Sequence, residues 1–206
     1  MNNYDFYKFS NSVAKKNSTV IFGAASASSI PATELSQSLG FNFNVYNRSM
    51  ANLSVRNVKA HYFNCAESIC PEAVIVQLGE NDLDFFKSTP EEFDKLYLDF
   101  ISYLKSTNSE LRIQLVSVEN SQRNSVIADM NRHIKAIADS EKCEFFNVET
   151  AKLWNPSATL AASFMYETGF ESPLKIKRPL YDVSKALFSY IYACSQTKAQ
   201  DERKAV

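Results

Sequence analysis

Three polar residues directly follow the most apolar stretch of the chain. Residues 73–78 read Ala-Val-Ile-Val-Gln-Leu, and Gly79, Glu80, Asn81 and Asp82 come next. An apolar run of this kind is typical of a buried parallel strand, because both faces of such a strand are covered. Ligands of open α/β sheets bind just beyond the carboxyl ends of the strands, so these side chains stand where chemistry is expected. The alternative is an ordinary turn, in which Asn and Asp bond their own backbone.

Composition and charge place the chain among globular proteins. Its 206 residues suit one α/β domain, which we expect over residues 1–194, followed by a polar tail over 195–206. The 45% hydrophobic and 22% charged content is ordinary, and a net charge of −1 argues against nucleic acid or an anionic membrane as the main partner. The sequence also lacks a signal-peptide pattern at its start and an apolar stretch of membrane-spanning length.

The four cysteines, Cys65, Cys70, Cys143 and Cys194, show neither a Cys-x-x-Cys motif nor a metal-ligand spacing with histidine. We therefore expect reduced thiols in the cytosol, with no metal and no cofactor. The remaining expected partner is a small molecule; the oligomeric state is left open.

Strand and helix patterns alternate along the sequence. Single helices between strands predict a parallel sheet with right-handed connections. We expect a three-layer, flavodoxin-like α/β fold with strand order 2-1-3-4-5, which brings the turns after the first and third strands to one crevice. The predicted strands are residues 19–22, 43–46, 73–78, 113–118 and 144–148, and the predicted helices include 31–39, one from Pro90 and 181–192.

Three turns of this sheet occur in a characteristic order. The segments are Gly-Ala-Ala-Ser at 23–26, Tyr-Asn-Arg-Ser at 46–49 and Gly-Glu-Asn-Asp at 79–82. This order resembles the SGNH (GDSL-type) hydrolases, which have a Ser turn, an Asn-Arg-Gly-type turn and a Gly-x-Asn-Asp turn at these places, and an Asp-x-x-His block before the last helix. The resemblance spans residues 19–192, and only the third turn matches at every defining position.

The resemblance implies a division of labour at the crevice. In that family the Ser attacks an ester carbonyl, the His takes its proton, and the Asp orients the His. Backbone N–H groups of the first two turns and the Asn of the third hold the oxyanion, and losing one such donor costs about 2.7–4 kcal/mol. By resemblance Asn81 is an oxyanion donor and Asp82 braces its loop.

The other blocks depart from the family pattern. Ala25 falls at the nucleophile position, and only a one-residue bulge would bring Ser26 there. Asn52 falls where the second turn has glycine. Aligned on the proline that often follows the family His, Lys175 and Arg178 replace the Asp and the His; a second register would instead keep Asp182 and place Lys185 at the His.

The two histidines of the chain do not suit a replacement base. His61 and His133 lie about eight residues into helices that run away from the crevice, on the order of 12 Å below it. A general base must approach to about 3.2 Å or act through one water, so both are expected to be structural. Lys175 and Glu80 remain conceivable bases, and Arg178 is expected to pair with Glu80 or to bind an anion.

Three functional hypotheses follow from these residues. The leading one is an SGNH-type protein with an eroded Ser-His-Asp triad, which binds a small acyl, glycan-derived or anionic ligand and hydrolyses esters weakly or not at all. The second is an active acyl-ester hydrolase that uses Ser26, Asn81 and an unconventional base. The third is a protein-interaction module based on the aromatic-rich residues 154–170, which could also form a lid, an acyl-pocket wall or a plain hydrophobic cluster.

Overall fold

The computed structural model describes residues 3–38, 44–120 and 122–148. Lys175, Arg178, Asp182, Lys185 and Cys194 lie outside the described residues, as do the segments 154–170 and 181–192 and the tail. The described helices are α1 (Asn3–Ser12), α2 (Ala25–Ser28), α3 (Ala32–Ser38), α4 (Val58–Cys65), α5 (Leu83–Ser88), α6 (Pro90–Thr107) and α7 (Ser125–Ser140). The strands are β1 (Thr19–Gly23), β2 (Val45–Asn47), β3 (Ala73–Gln77), β4 (Arg112–Val116) and β5 (Glu144–Phe146).

The five strands form one parallel sheet in the order β2-β1-β3-β4-β5, which confirms the predicted topology. β1 and β3 lie side by side over their full length, from the pair Thr19 and Ala73 to the pair Gly23 and Gln77. The carboxyl ends of β1 and β3 therefore meet at one edge of the sheet. This places the turn after β1 beside the turn after β3.

Alternate residues of the strands pack into two apolar layers. Val20, Phe22, Val74 and Val76 belong to the larger cluster, which includes aromatic side chains of α4, α5 and α6 and residues of α7. On the opposite face, Ile21, Val45, Ile75 and Val116 join residues of α2 and of the segment that leads into α3. Burial on both faces explains why the strands read as continuous apolar runs.

The strand boundaries differ from the sequence prediction in both directions: β1 and β2 each end one residue later than predicted, at Gly23 and Asn47, whereas the other three strands end earlier. β3, β4 and β5 end before their apolar runs do, because Leu78, Val118 and Val148 are buried without belonging to the sheet. Apolar burial requires contact with the core rather than strand pairing, so an apolar pattern overestimates strand length. The helices α1, α2 and α5 were not predicted; α2 and α5 are short segments within the turns of the candidate site.

Among the described residues, no helix is both long enough and apolar enough to cross a membrane. The N-terminal helix α1 instead lies against α4, where the Asn11 side-chain amide donates to the Cys65 carbonyl over 2.8 Å.

Candidate functional site

The turn after β1 depends on a glycine for its close approach to β3. A Cβ atom at Gly23 would collide with the Gln77 carbonyl oxygen and lie 2.8 Å from the Ala27 Cβ. The backbone N–H of Ala24 donates to the same Gln77 carbonyl over 3.0 Å. α2 begins immediately afterwards at Ala25, which is exposed.

Helix α2 begins with an alanine followed by a serine. The pairing of β1 with β3 is continuous to the last residue of β1, Gly23, so β1 itself contains no bulge. Ala25 is the first residue of α2 and Ser26 the second. Ser26 is half-buried, and within the described part of the chain its hydroxyl has no hydrogen-bond partner.

The turn after β3 also requires its glycine. Gly79 has φ +120°, a backbone conformation that residues other than glycine rarely adopt. A Cβ there would lie 2.6 Å from the Met130 Sδ and 3.0 Å from the Val118 Cγ2. Gly79 thus lets the chain leave β3 sharply against α7, and the next three side chains meet the first two turns.

Glu80 connects the third turn to the first. Its Oε2 accepts a hydrogen bond from the backbone N–H of Ser26 over 3.0 Å. The first N–H groups of a helix have no partner within the helix and carry a partial positive charge, which a carboxylate stabilises. Glu80 therefore places a carboxylate at the start of α2, beside Ala25 and Ser26.

Asn81 connects the third turn to the second. Its side-chain amide donates one hydrogen bond to the Ala51 carbonyl and another to the Leu53 carbonyl, each over 2.8 Å. A side-chain amide has two N–H groups, so both are occupied. The donor that the family resemblance assigns to the oxyanion is used here to hold the second turn.

Asp82 adds a buried link between the same two turns. Its carboxylate accepts from the Ser54 hydroxyl over 2.5 Å and from the Val55 backbone N–H over 3.2 Å. Burial raises the pKa of Asp82 above its ordinary value of 3.8, and the bonds from Ser54 and Val55 and the nearby Arg56 charge oppose that rise. The Arg56 guanidinium itself lies 3.9 Å from the centre of the Phe85 ring. Residues 51–56 are thus fastened along residues 81–85.

The second turn is also held by Asn47, a residue to which the sequence analysis gave no role. Asn47 donates to the Ala27 and Ile30 carbonyls over 2.7 and 2.9 Å and accepts from the Ser49 backbone N–H. These bonds tie the end of β2 to α2. An Asn at the last position of an otherwise apolar strand is the signal that could have indicated this role.

Arg48 is buried and joins the same turn to the N-terminal helix. Its guanidinium donates to the Asn11 side-chain oxygen over 2.9 Å and to the Ser10 hydroxyl over 3.1 Å, and it lies near the rings of Tyr7 and Tyr46. Burial lowers the pKa of Arg48, but a guanidinium stays charged in proteins. α1 is therefore part of the support of the second turn.

Both histidines have structural partners. The Nε2 of His61 lies 3.0 Å from the Arg48 carbonyl, and His61 is buried against the Phe22 ring. Burial lowers the pKa of His61, which favours the neutral ring. The Nδ1 of His133 lies 2.8 Å from a carboxylate oxygen of Asp94. Both imidazoles thus have partners outside the turns at residues 23–26 and 79–82. His133 is the ninth residue of α7, close to the expected depth, whereas His61 is only the fourth residue of α4 because that helix begins later than predicted.

The remaining predicted site residues are only partly described. Asn52 is exposed and does not have a positive φ, so the second turn does not need glycine at that position. Across residues 3–38, 44–120 and 122–148, no cluster of three or more His, Cys, Asp or Glu side chains could hold a metal ion. Lys175 and Arg178 remain predictions.

Chemically, the turns after β1 and β3 present a carboxylate acceptor, and two of the candidate donors are already hydrogen-bonded within the protein. Glu80 contributes a carboxylate, and the exposed Ala25, Ala51 and Asn52 lie on the turns around it. The candidate donors Ser26 N–H and Asn81 amide are both engaged. Such an arrangement can accept hydrogen bonds from the hydroxyl or amide groups of a ligand.

Several solved structures have a similar fold. A Streptococcus pneumonia protein provisionally named a platelet activating factor is 18% identical with a TM-score of 0.67, covering 92% of this chain and 91% of that one. An acetyl xylan esterase is 16% identical with a TM-score of 0.60, covering 84% and 99%. A GDSL-like lipase from Bacteroides thetaiotaomicron is 16% identical with a TM-score of 0.57, covering 75% and 82%.

Neither a protein-family model nor a curated protein sequence matches the chain. At identities of 16–18% the similarity establishes the fold, and the activity has to be argued from the residues of this chain.

Proposed function

This chain has the SGNH (GDSL-type) hydrolase fold, and from that premise we propose that its crevice binds a small acyl or glycan-derived ligand with weak or no ester hydrolysis. The observation that carries the proposal is the hydrogen bond from the Ser26 backbone N–H to the Glu80 carboxylate. By the family resemblance, this carboxylate stands near the point where an ester-cleaving member of the fold would stabilise the oxyanion that forms during the reaction.

The energetic consequence for ester cleavage is large. An oxyanion is stabilised by donors that are already aimed at it, and each missing donor costs about 2.7–4 kcal/mol. Here the Ser26 N–H and the Asn81 amide are both engaged by acceptors of the protein itself. Two unit charges 4 Å apart near a protein surface interact with about 4 kcal/mol, so the Glu80 carboxylate would also repel the intermediate.

The described residues at the first turn and the two histidines support the same proposal. Ala25 opens α2 and has no group that could attack a carbonyl. His61 and His133 are held by Arg48 and Asp94. Neither described histidine is therefore placed to supply the proton transfer that Ser-based ester hydrolysis requires.

The kind of ligand follows from the acceptor at the crevice. The Glu80 carboxylate favours a ligand that donates, such as the hydroxyl groups of a sugar or the amide N–H of an acetamido group. An anionic ligand is the alternative. It would bind only if Lys175 and Arg178 face the crevice and their positive charges offset the Glu80 carboxylate.

An active hydrolase is the rival, and one observation favours it. Ser26 is half-buried and its own backbone contacts Glu80, so a carboxylate lies close to a hydroxyl that has no described partner. A carboxylate near a hydroxyl can serve as a general base when its pKa suits the task.

Labelling with a fluorophosphonate distinguishes the two. Intact-mass spectrometry of the purified chain and of Ser26→Ala after exposure to the reagent reports whether Ser26 is an activated nucleophile. We expect no adduct on either protein. A stoichiometric adduct that disappears in Ser26→Ala would replace our proposal with the rival.

Binding is tested separately by NMR titration. The probes are N-acetylglucosamine and glucuronate, up to about 10 mM, because a dissociation constant near 1 mM corresponds to about −4.1 kcal/mol. In the natural chain we expect N-acetylglucosamine to shift the amide signals of Ala25, Asn52 and Asn81. In Ala25→Trp the signals of Asn52 and Asn81 should no longer shift. In Glu34→Trp, which changes an exposed residue of α3, the shifts should persist. Absence of shifts with both probes would contradict ligand binding of this class.

A further inference from the structure

The N-terminal helix α1 carries an apolar stripe on the side turned away from the protein. Tyr7 and Asn11 form its inner side and contact the body of the domain. Phe6, Phe9 and Val13 follow one another at spacings of three and four residues and are 55%, 68% and 76% exposed. Residues at these spacings share one side of a helix, so the three form a continuous outer stripe along α1 and its end.

This stripe is unusual for the surface of the protein. Among the described residues, Phe63 on α4 is the one other large apolar side chain that is exposed. Single exposed apolar residues are ordinary, whereas contiguous ones mark interaction surfaces. The stripe is therefore a candidate interaction surface, and Phe63 provides an exposed phenylalanine on another helix for comparison.

The charges along the stripe favour a second copy of the chain as that partner. Asp5 is exposed at the first turn of α1, and Lys15 and Lys16 are exposed just beyond its end. When two copies of α1 lie antiparallel, the acidic end of each meets the basic end of the other. A parallel arrangement would place lysines beside lysines.

We propose that α1 is a self-association surface on which two copies pair antiparallel about a two-fold axis near Phe9. Phe6 of each copy then packs against Val13 of the other, and Asp5 lies close to Lys16 of the other. Such an interface is isologous, because both copies use the same residues. Three apolar side chains cover less than the roughly 800 Å² per partner of a standard interface, so the dimer forms at high protein concentration.

Analytical ultracentrifugation of the full chain over a range of concentrations tests this surface. We expect the average mass to rise toward twice the chain mass as the concentration increases, and Phe9→Asp to keep it at the monomer value. Phe63→Asp is the matched control, since it places the same charge on another exposed phenylalanine and should leave the mass curve unchanged. Thermal melting of each variant verifies that it is folded.

Charge reversal tests the antiparallel arrangement. Asp5→Lys should raise the dimer dissociation constant several-fold. Each exposed ion pair contributes only a modest free energy, but the substitution removes two of them, because the two-fold axis makes the pair occur twice in the dimer. Lys16→Glu in the same chain should restore the original constant. A monomer at every concentration, equal loss in Phe9→Asp and Phe63→Asp, or failure of the double variant to recover would each overturn the proposal.

Discussion

Glu80 and Ser26, which lie on different turns, are joined by a hydrogen bond of 3.0 Å between a carboxylate oxygen and a backbone N–H. The bond spans the two turns that follow neighbouring strands β1 and β3. It gives α2 an N-terminal carboxylate and gives the crevice a fixed negative charge. The predictions below concern the residues that create and support this arrangement.

Glu80→Ala should destabilise the protein through the start of α2. Removing the carboxylate leaves the Ser26 N–H without its acceptor, and losing a helix cap of this kind costs about 1 kcal/mol. Glu80→Gln keeps a side-chain oxygen that can accept the bond and should cost less. Urea unfolding of both variants measures the difference, and equal stability of Glu80→Ala and the natural chain would show that the bond does not contribute.

Asn81→Asp should loosen the second turn. The substitution replaces an amide that donates to two carbonyls by a carboxylate that can only accept. A carboxylate oxygen of the new side chain then faces the carbonyl oxygens of Ala51 and Leu53 with no hydrogen between them. We expect the free energy of unfolding to fall by about 1–3 kcal/mol, which is the cost of leaving such groups unpaired. Asn52→Asp, at an exposed position on the same turn, is the control and should be near neutral.

Asp82 should give the protein a pH dependence opposite to that of most carboxylates. Because burial raises its pKa in the folded state above 3.8, the folded chain holds this proton more tightly than the unfolded chain does. Its contribution to stability is therefore greatest below pH 3.8 and is lost as the pH rises through the folded pKa.

Asp82→Asn removes that titration while keeping an oxygen for the Val55 N–H. The difference in unfolding free energy between the natural chain and Asp82→Asn should shift in favour of the variant as the pH rises. Asp84→Asn, which removes an exposed carboxylate two residues away, is the control. If the difference in unfolding free energy between the natural chain and Asp82→Asn stays constant as the pH rises from below 3.8, the pKa of Asp82 is not raised in the folded protein.

Gly79→Ala should be among the most damaging small substitutions in the chain. The residue has φ +120°, and a Cβ would lie 2.6 Å from the Met130 Sδ. Backbone strain and overpacking each cost about 1–3 kcal/mol. Because Met130 is itself fully buried, Met130→Ala alone is the reference for the double variant. Adding Gly79→Ala to Met130→Ala should cost less than it does in the natural chain, and the remaining cost reports the backbone strain. Differential scanning calorimetry of the four proteins measures both costs, and no cost in the Met130→Ala background would mean that the backbone conformation imposes none.

The fold could be predicted because its signal is repeated. Each strand is an apolar run, each intervening segment has helical spacing, and only a parallel sheet accommodates that alternation. The same signal cannot fix boundaries, since Leu78 and Val148 are buried beyond the ends of β3 and β5. α1 gave no signal because its inner side is built from Tyr7 and Asn11 rather than from aliphatic residues.

The position of the candidate site could be predicted from the sequence, but the hydrogen bonds within it could not. The order of the three turns brought Gly23, Asn81 and Asp82 to one edge of the sheet, because strand order decides which turns are neighbours. Which partner each polar group takes depends on distances between turns, and these are set by packing. The sequence therefore suggested Asn81 as a free donor, whereas the structure has its amide bonded to two carbonyls.

The most direct test of the central claim is the rate of 4-nitrophenyl acetate hydrolysis by the natural chain and by Ser26→Ala and Glu80→Gln. The claim that the crevice binds without efficient ester cleavage predicts that all three rates are close to that of buffer. Hydrolysis by the natural chain at an enzymatic rate, with loss of that rate in Ser26→Ala, would contradict it.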